Sequence, residues 1–293
     1  MKPEMAVDLH IHSTFSDGTQ SPEQIVQVAL DKQLTAIAIS DHDTISGVVP
    51  AQQAAANAEL QVLPAVEIST TIDGRDVHIL GYFIDLQHAG LLEKLQAIRS
   101  ARQQRARQIA DKLEKLGISI DFEKLLEEAG PDSIGRPHIA RRLVREGYVR
   151  DAGEAFAQYL RRGGSAYVER YRLAPCEAIE LVTAAGGLPV LAHPALDNAE
   201  QHVNSLMDCG LQGIEAYHTI HSLAQTRRYI AMAHEKGLMV TGGSDSHGPK
   251  GPIPVEIGAV EVPDECAVQL LDWAGQHQIA KAKVGEADGN SSD

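Results

Sequence analysis

VDLHIHSTFSDGT, residues 7–19, runs as an apolar segment into His10 and His12 and then breaks into small polar residues around Asp17 and Gly18. A strand sends alternate side chains to one face, so a strand ending here projects His10 and His12 together. Two imidazoles side by side gain little from packing and repel each other when both are protonated. Either this is a polar strand end with two incidental histidines, or it is a pair of metal ligands. The rest of the chain decides.

Outward from this stretch, strand and helix signals alternate. SPEQIVQVALDKQ follows, with Ser21 suited to cap a helix and Pro22 to its first position. LTAIAIS is a short apolar run ending at Asp41-His42-Asp43, and GVVPAQQAAANAE reads as a helix with Pro50 in its first turn. LQVLPAVEIS and DVHILGYFI are further strand candidates. Strands alternating with helices predict parallel βα units. From residue 86 to 172 the pattern turns helical: a long helix with a basic middle (Arg99, Arg102, Arg105, Arg107) ends at Gly117, and three shorter helices follow. This stretch is expected to be a helical insertion whose basic residues form a solvated face. The rhythm then resumes with strands at LPVLAHP, LQGIEAYH, LMVTGGSDSH and EIGAVEV, and a last helix at CAVQLLDWAGQH. The expected organisation is a barrel from 1–85 and 173–282, an insertion over 86–172 capping the active site, and a disordered acidic tail at 283–293.

Composition narrows the class. The 293 residues can bury a large core, and 43% hydrophobic with 23% charged content is ordinary for a soluble globular chain. No run reaches the roughly 18 apolar residues of a membrane span, and the first strand begins too early to leave room for a signal peptide. Cys176, Cys209 and Cys266 are odd in number and far apart, which predicts reduced thiols in a cytoplasmic protein. The formal charge of -14, from 40 acids and 26 bases, disfavours long duplex nucleic acid and membrane surfaces. It leaves room for an anionic substrate, since divalent cations can reverse the local field.

Histidines and acids recur at the ends of the apolar strands: His10, His12 and Asp17; Asp41, His42 and Asp43; Glu67; His78 within DVHIL; His193; Glu215 and His218; Asp245 and His247. In a closed parallel barrel the strand C-termini meet on one face, where active sites form. So many buried ligand-type groups need charge compensation. Divalent cations provide it, and mixed imidazole and carboxylate sites suit manganese, zinc or iron. His88, His202, His221, His234 and His277 fall in helical or terminal stretches and read as surface residues.

HIHSTFSDGT, ISDHDT, AVEIS, VHILGY, LAHP and GGSDSH resemble, in order, the motifs of the PHP (polymerase and histidinol phosphatase) superfamily, and IGRPHIARRLV at 134–144 resembles a segment of its TrpH-like stand-alone phosphoesterases. The resemblance implies an α/β fold, a distorted (β/α)7 barrel, with two or three divalent metal ions, manganese foremost and zinc or iron as alternatives. It implies ligands at His10, His12, Asp17, His42, Glu67, His78, His193, Asp245 and His247, with Glu67 bridging two ions and His10, His12 and Asp245 around one of them. It also implies hydrolysis of the 3'-phosphate of small 3',5'-bisphosphate nucleotides and trimming of short 5'-phosphorylated oligonucleotides. Histidinol-phosphate phosphatase and a non-catalytic metal-binding module are the alternatives. No obligate protein partner is implied.

Clustered metals can lower the pKa of a bridging water, making hydroxide available, and can clamp phosphoryl oxygens. Asp43 and Glu215 are candidates for orienting ligand imidazoles, and Asp43 is equally a loop cap. His218 is the candidate proton donor to the leaving oxygen or a lining residue. Arg136, with Pro137 and His138 at a helix start, can hold a second phosphate; the competing reading pairs Arg136 with an acid at the domain junction. Tyr167, Tyr171 and Arg172 are candidates for contacting base or sugar.

Overall fold

Strand β1 (Val7–Ile11) is buried along its whole length, and its apolar residues Leu9 and Ile11 are 0% exposed. The computed structural model describes residues 6–129, 134–169, 171, 173–251 and 254–288. After β1 the chain turns into helix α1 (Pro22–Asp31). Ser21 Oγ accepts the Gln24 N–H at 3.3 Å, while the Gln24 side chain accepts the Ser21 N–H at 2.9 Å. This reciprocal cap satisfies two otherwise unpaired donors. Then come β2 (Ala36–Ile39), α2 (Val48–Ala54), β3 (Gln61–Ile72) and β4 (Arg75–Tyr82). The second half supplies α7 (Pro175–Ala184), β5 (Leu188–Leu191), α8 (Val203–Asp208), β6 (Gly213–His218), α9 (Leu223–Lys236), β7 (Met239–Gly243) and α10 (Asp264–Asp288).

The strands form one sheet in chain order from β1 to β7. Past the end of β7 the backbone reaches β1 again: Asp245 N–H donates to His10 O and His12 N–H to Ser246 O, each at 2.9 Å. The sheet thus curls into a nearly closed barrel. It is not wholly parallel as expected, because β4 runs antiparallel to both β3 and β5. The cause is local. Asp73 and Gly74 sit between β3 and β4 at φ 50° and 75°, the left-handed pair of a tight Asp-Gly hairpin. The hairpin brings the first half of β4 to the rim where β3 ends, and Ser69 pairs with His78. EIGAVEV (256–262) is not a strand but irregular backbone with a turn at Ile257 and Gly258. Helix α10 is described to Asp288, and 289–293 lie outside the described residues.

The insertion is built from α3 (Ala89–Lys115), α4 (Phe122–Ala129), α5 (Arg136–Arg145) and α6 (Ala152–Ala155), which runs into a π-helical turn, Phe156–Leu160. Leu91, Leu95 and Ile98 at the start of α3 join the barrel core. Ala106, Ile109 and Leu113 further along pack with Leu125, Ile139, Leu143 and Leu160 in a second core. One long helix therefore serves both hydrophobic clusters.

One further expectation is corrected here. Cys176 of α7 and Cys209 after α8 form a disulfide with Cα atoms 5.3 Å apart, because α7 packs beside α8, while Cys266 is free and buried. Among the described residues no helix is long and apolar enough to cross a membrane.

Candidate metal centre

The strand period does what VDLHIH suggests. His10 and His12 leave β1 on the same side, and their Nε2 atoms lie 3.2 Å apart. Glu67 from β3 and Asp245 after β7 complete a quartet. His12 Nε2 lies 3.2 Å from Glu67 Oε2 and 3.0 Å from Asp245 Oδ1, and His10 Nε2 lies 3.4 Å from each. A tetrahedron with metal bonds of about 2.0–2.1 Å has edges of about 3.3–3.4 Å, so four donor atoms stand close to coordination spacing. Three more sets of facing donors adjoin it: His12, Asp17, His42 and His247; His42, Glu67 and His78; His10, Glu215 and His218.

Glu67 is the hub. Its Oε1 lies 2.8 Å from His78 Nδ1 and 2.9 Å from His193 Nε2, and its Oε2 lies 2.9 Å from His42 Nδ1. Asp17 Oδ1, His42 Nδ1, Glu67 Oε2, His78 Nε2 and Asp245 Oδ1 are all buried without a hydrogen-bond partner. Buried polar atoms are rarely left so; a set of them aimed at one another fits divalent cations. All nine ligand candidates from the sequence meet at this rim.

Charges follow the geometry. Burial alone would raise Glu67 and Asp245, but surrounding imidazoles, led by His42 for Glu67 and His10 for Asp245, hold both well below the carboxylate range. Burial disfavours a protonated His12, yet Asp245 and Glu67 outweigh it and push it up to about 10. His10 is likewise driven well upward against burial by Glu215, Asp245 and Glu67. His42 goes down, mainly from burial. Without an ion, imidazolium protons supply the positive charge that a cation would take over.

Neighbouring groups fix which ring nitrogen is bare. His10 Nδ1 donates to Glu215 Oε1 at 2.9 Å and His247 Nδ1 to the Asp245 carbonyl at 2.9 Å, so in the neutral ring Nε2 of each is the bare nitrogen facing the cluster. His218 is the reverse. Its Nδ1 accepts the Ile220 N–H at 3.2 Å, which leaves a proton on Nε2, a buried unpartnered donor 3.4 Å from Asp245 Oδ2. Three residues at the rim hold left-handed backbone without being glycine: Asp43 (φ 55°), His193 (φ 25°) and Asp245 (φ 53°). Such strain, about 1–3 kcal/mol each, collects at functional sites.

Beside the clusters lies a cleft lined by Asp17, His42, His78, Arg102, Arg105 and Arg136, with Tyr171 at its border. Arg102 is not on a solvated face: its guanidinium pairs with Asp43 and donates to Ser69 Oγ at 2.7 Å. The signal was helical spacing, since Ile98, Arg102 and Arg105 share the face that Ile98 buries on the barrel. Among the described residues, the contacts of Asp43 fit the loop-cap reading. Its carboxylate takes the Ser69 N–H at 2.8 Å and clasps the insertion through Arg102. Arg136 lines the cleft and also sits 3.5 Å from Asp76 at the domain junction. His138 does not face this cleft. It is buried, and its Nδ1 accepts the Gly135 N–H at 3.1 Å. Tyr167 lies under Arg105 at 5.9 Å, and Arg172 falls outside the described residues. Of the supposed surface histidines, His88 caps α3 by accepting the Leu91 N–H at 3.1 Å. His221 is half-buried beside His218, with ring centroids 5.3 Å apart.

The PHP domain model matches residues 8–169. The chain is 37% identical over 251 residues to the 5'-3' exoribonuclease of Haemophilus influenzae, covering 83% of this chain and 90% of that protein. It is 34% identical over 249 residues to the 3',5'-nucleoside bisphosphate phosphatase of Chromobacterium violaceum, covering 83% and 87%. A crystal structure of a candidate metal-dependent phosphoesterase from Bifidobacterium adolescentis matches with a TM-score of 0.84 at 30% identity, covering 92% of this chain and 96% of that one. With its sheet, its clustered donors and these likenesses in agreement, the chain belongs to the PHP domain family.

Proposed function

We propose that this chain is a metal-dependent phosphoric ester hydrolase that removes the 3'-phosphate of nucleoside 3',5'-bisphosphates and trims short 5'-phosphorylated RNA from its 5' end. The observation that carries the reading is the shared cleft: Arg102, Arg105 and Arg136 line the same space as Asp17, His42 and His78. A substrate with two phosphates matches this pairing of guanidiniums with a metal-binding rim. Both named relatives act on phosphate esters of nucleotides, by the words of their names.

In this reading His10, His12, Glu67 and Asp245 hold one divalent ion, Glu67, His78 and His193 a second, and Asp17, His42 and His247 a third. Manganese is the first candidate. The ions, when bound, polarise phosphoryl oxygens and lower the pKa of a coordinated water. The residues of the chain do the rest. Arg136 holds the remote 5'-phosphate and sets which ester reaches the rim. His218, with its proton fixed on the inward Nε2, donates to the leaving oxygen. The insertion roofs the cleft and, with the net charge of -14, favours mononucleotides and single strands over long duplexes.

The test is phosphate release by the manganese-loaded protein from a nucleoside 3',5'-bisphosphate, beside histidinol phosphate and a 5'-phosphorylated oligoribonucleotide. Turnover of the bisphosphate well above histidinol phosphate is expected. Inactivity on both the bisphosphate and RNA would overturn the reading.

A further inference from the structure

We propose that Arg141 of α5 is a positioning residue for the loop that carries Asp17, so that the helical insertion governs the ion held by Asp17, His42 and His247. The proposal rests on the metal reading above.

Loop 13–18 must turn tightly to return Asp17 to the rim. A side chain at Gly18 would meet the His12 carbonyl oxygen at 2.3 Å, so the turn leaves no space there. The barrel anchors the start of the loop. Asp41 accepts the Ser13 N–H at 2.7 Å, the Ser13 hydroxyl at 2.6 Å and the Ser16 hydroxyl at 2.5 Å.

The end of the loop is anchored from the insertion. Arg141 Nη1 donates to the Asp17 backbone carbonyl at 3.0 Å. Arg141 thus grips main chain rather than the carboxylate. Asp17 Oδ1 stays unpartnered by any hydrogen bond and 3.1 Å from His247 Nε2, available to a cation. The neighbouring loop is also held from the insertion, through a side chain: Arg102 of α3 pairs with the carboxylate of Asp43, next to His42. Two of the three ligands of this ion therefore stand on loops gripped by arginines of the insertion. Of the quartet, His10 and Glu67 stand on β1 and β3, His12 directly follows β1, and Asp245 lies two residues past β7.

Ligand-orienting partners of this kind change metal affinity by about 10–100-fold. The experiment uses the full chain with manganese alone. Bound metal per chain is measured after dialysis, and site affinities by calorimetry, for the wild type, Arg141→Ala, Arg141→Lys, Asp17→Asn and the double variant. Arg141→Ala is expected to lose or weaken one equivalent by about 10-fold or more and to leave the tightest site unchanged. Arg141→Lys, which keeps the stem and a donor, should lie between. Adding Arg141→Ala to Asp17→Asn should cost nothing further.

Full stoichiometry and affinity in Arg141→Ala would overturn the proposal. So would parallel weakening of every site in Arg141→Ala and Arg141→Lys, which marks a general structural role. A wild type that binds no manganese would instead bring down the metal reading itself, and this proposal with it.

Discussion

Glu215 Oε1 accepts the His10 Nδ1 proton at 2.9 Å while Glu215 Oε2 accepts the His193 backbone N–H at 2.8 Å. One buried carboxylate from β6 thus fixes the tautomer of a ligand candidate on β1 and the backbone of another after β5. Removing it leaves His10 free to turn and strands a buried ring nitrogen. Glu215→Ala is expected to weaken the tightest metal site by about 10–100-fold. Glu215→Gln can accept one of the two bonds and should fall between. Equilibrium dialysis against manganese reads both. An unchanged affinity in Glu215→Ala would show that His10 needs no such support.

Glu67 differs from Glu215 in facing ions rather than a ring alone. Its two oxygens lie within 2.8–3.4 Å of nitrogens of His10, His12, His42, His78 and His193. Glu67→Gln keeps the shape and removes the charge. The expected result is loss of more than one bound ion per chain and a drop in activity well beyond the roughly 100-fold ceiling of outer partners. Metal content by mass spectrometry settles it, and loss of a single equivalent would contradict the bridging assignment.

The rim was legible because metal ligands obey local rules. A two-residue period aims His10 and His12 together, and apolar strands ending in His, Asp or Glu announce where each ligand comes from. The antiparallel β4 was also written locally, in Asp73-Gly74, but a hairpin turn is easily lost inside one long apolar stretch. What could not be read was pairing across distance. Asp43 meets Arg102 59 residues later, Asp17 meets Arg141 124 residues later, and Cys176 meets Cys209 only because α7 and α8 pack side by side. Those partners are chosen by how the insertion docks. His138 shows the same limit: its place in GRPH suggested substrate, but it is buried and its Nδ1 accepts the Gly135 N–H.

Arg136 is held loosely. Asp76 and the Leu160 carbonyl both lie at 3.5 Å, and the Phe156 ring is 5.7 Å away. A guanidinium with such long contacts can exchange Asp76 for a phosphate at small cost. A hydrogen bond to a charged group contributes about 1.5–3 kcal/mol. Arg136→Ala should therefore raise KM for a 3',5'-bisphosphate by about 10–100-fold and change kcat much less. Hydrolysis of a nucleoside 3'-monophosphate should hardly change. Equal losses on both substrates would place Arg136 in a structural role.

Protons and metal compete for His12. Its pKa is about 10 in the ion-free fold against an ordinary 6.5, because Asp245 and Glu67 overcome the effect of burial. A pKa raised by folding gives stability that is full below 6.5 and is lost as pH climbs through about 10. An ion needs the bare Nε2, so its affinity changes in the opposite direction and rises with pH as that proton leaves. The ion-free protein should lose melting temperature between pH 7 and 10. The manganese-loaded protein should hold it, because tighter binding adds stability by mass action. The difference between the two melting temperatures should widen steadily with pH. Calorimetry in buffers of different ionisation enthalpy should show protons released on binding. A constant difference with no proton release would mean that His12 is already bare in the ion-free fold, and that the carboxylates around it are balanced by another charge.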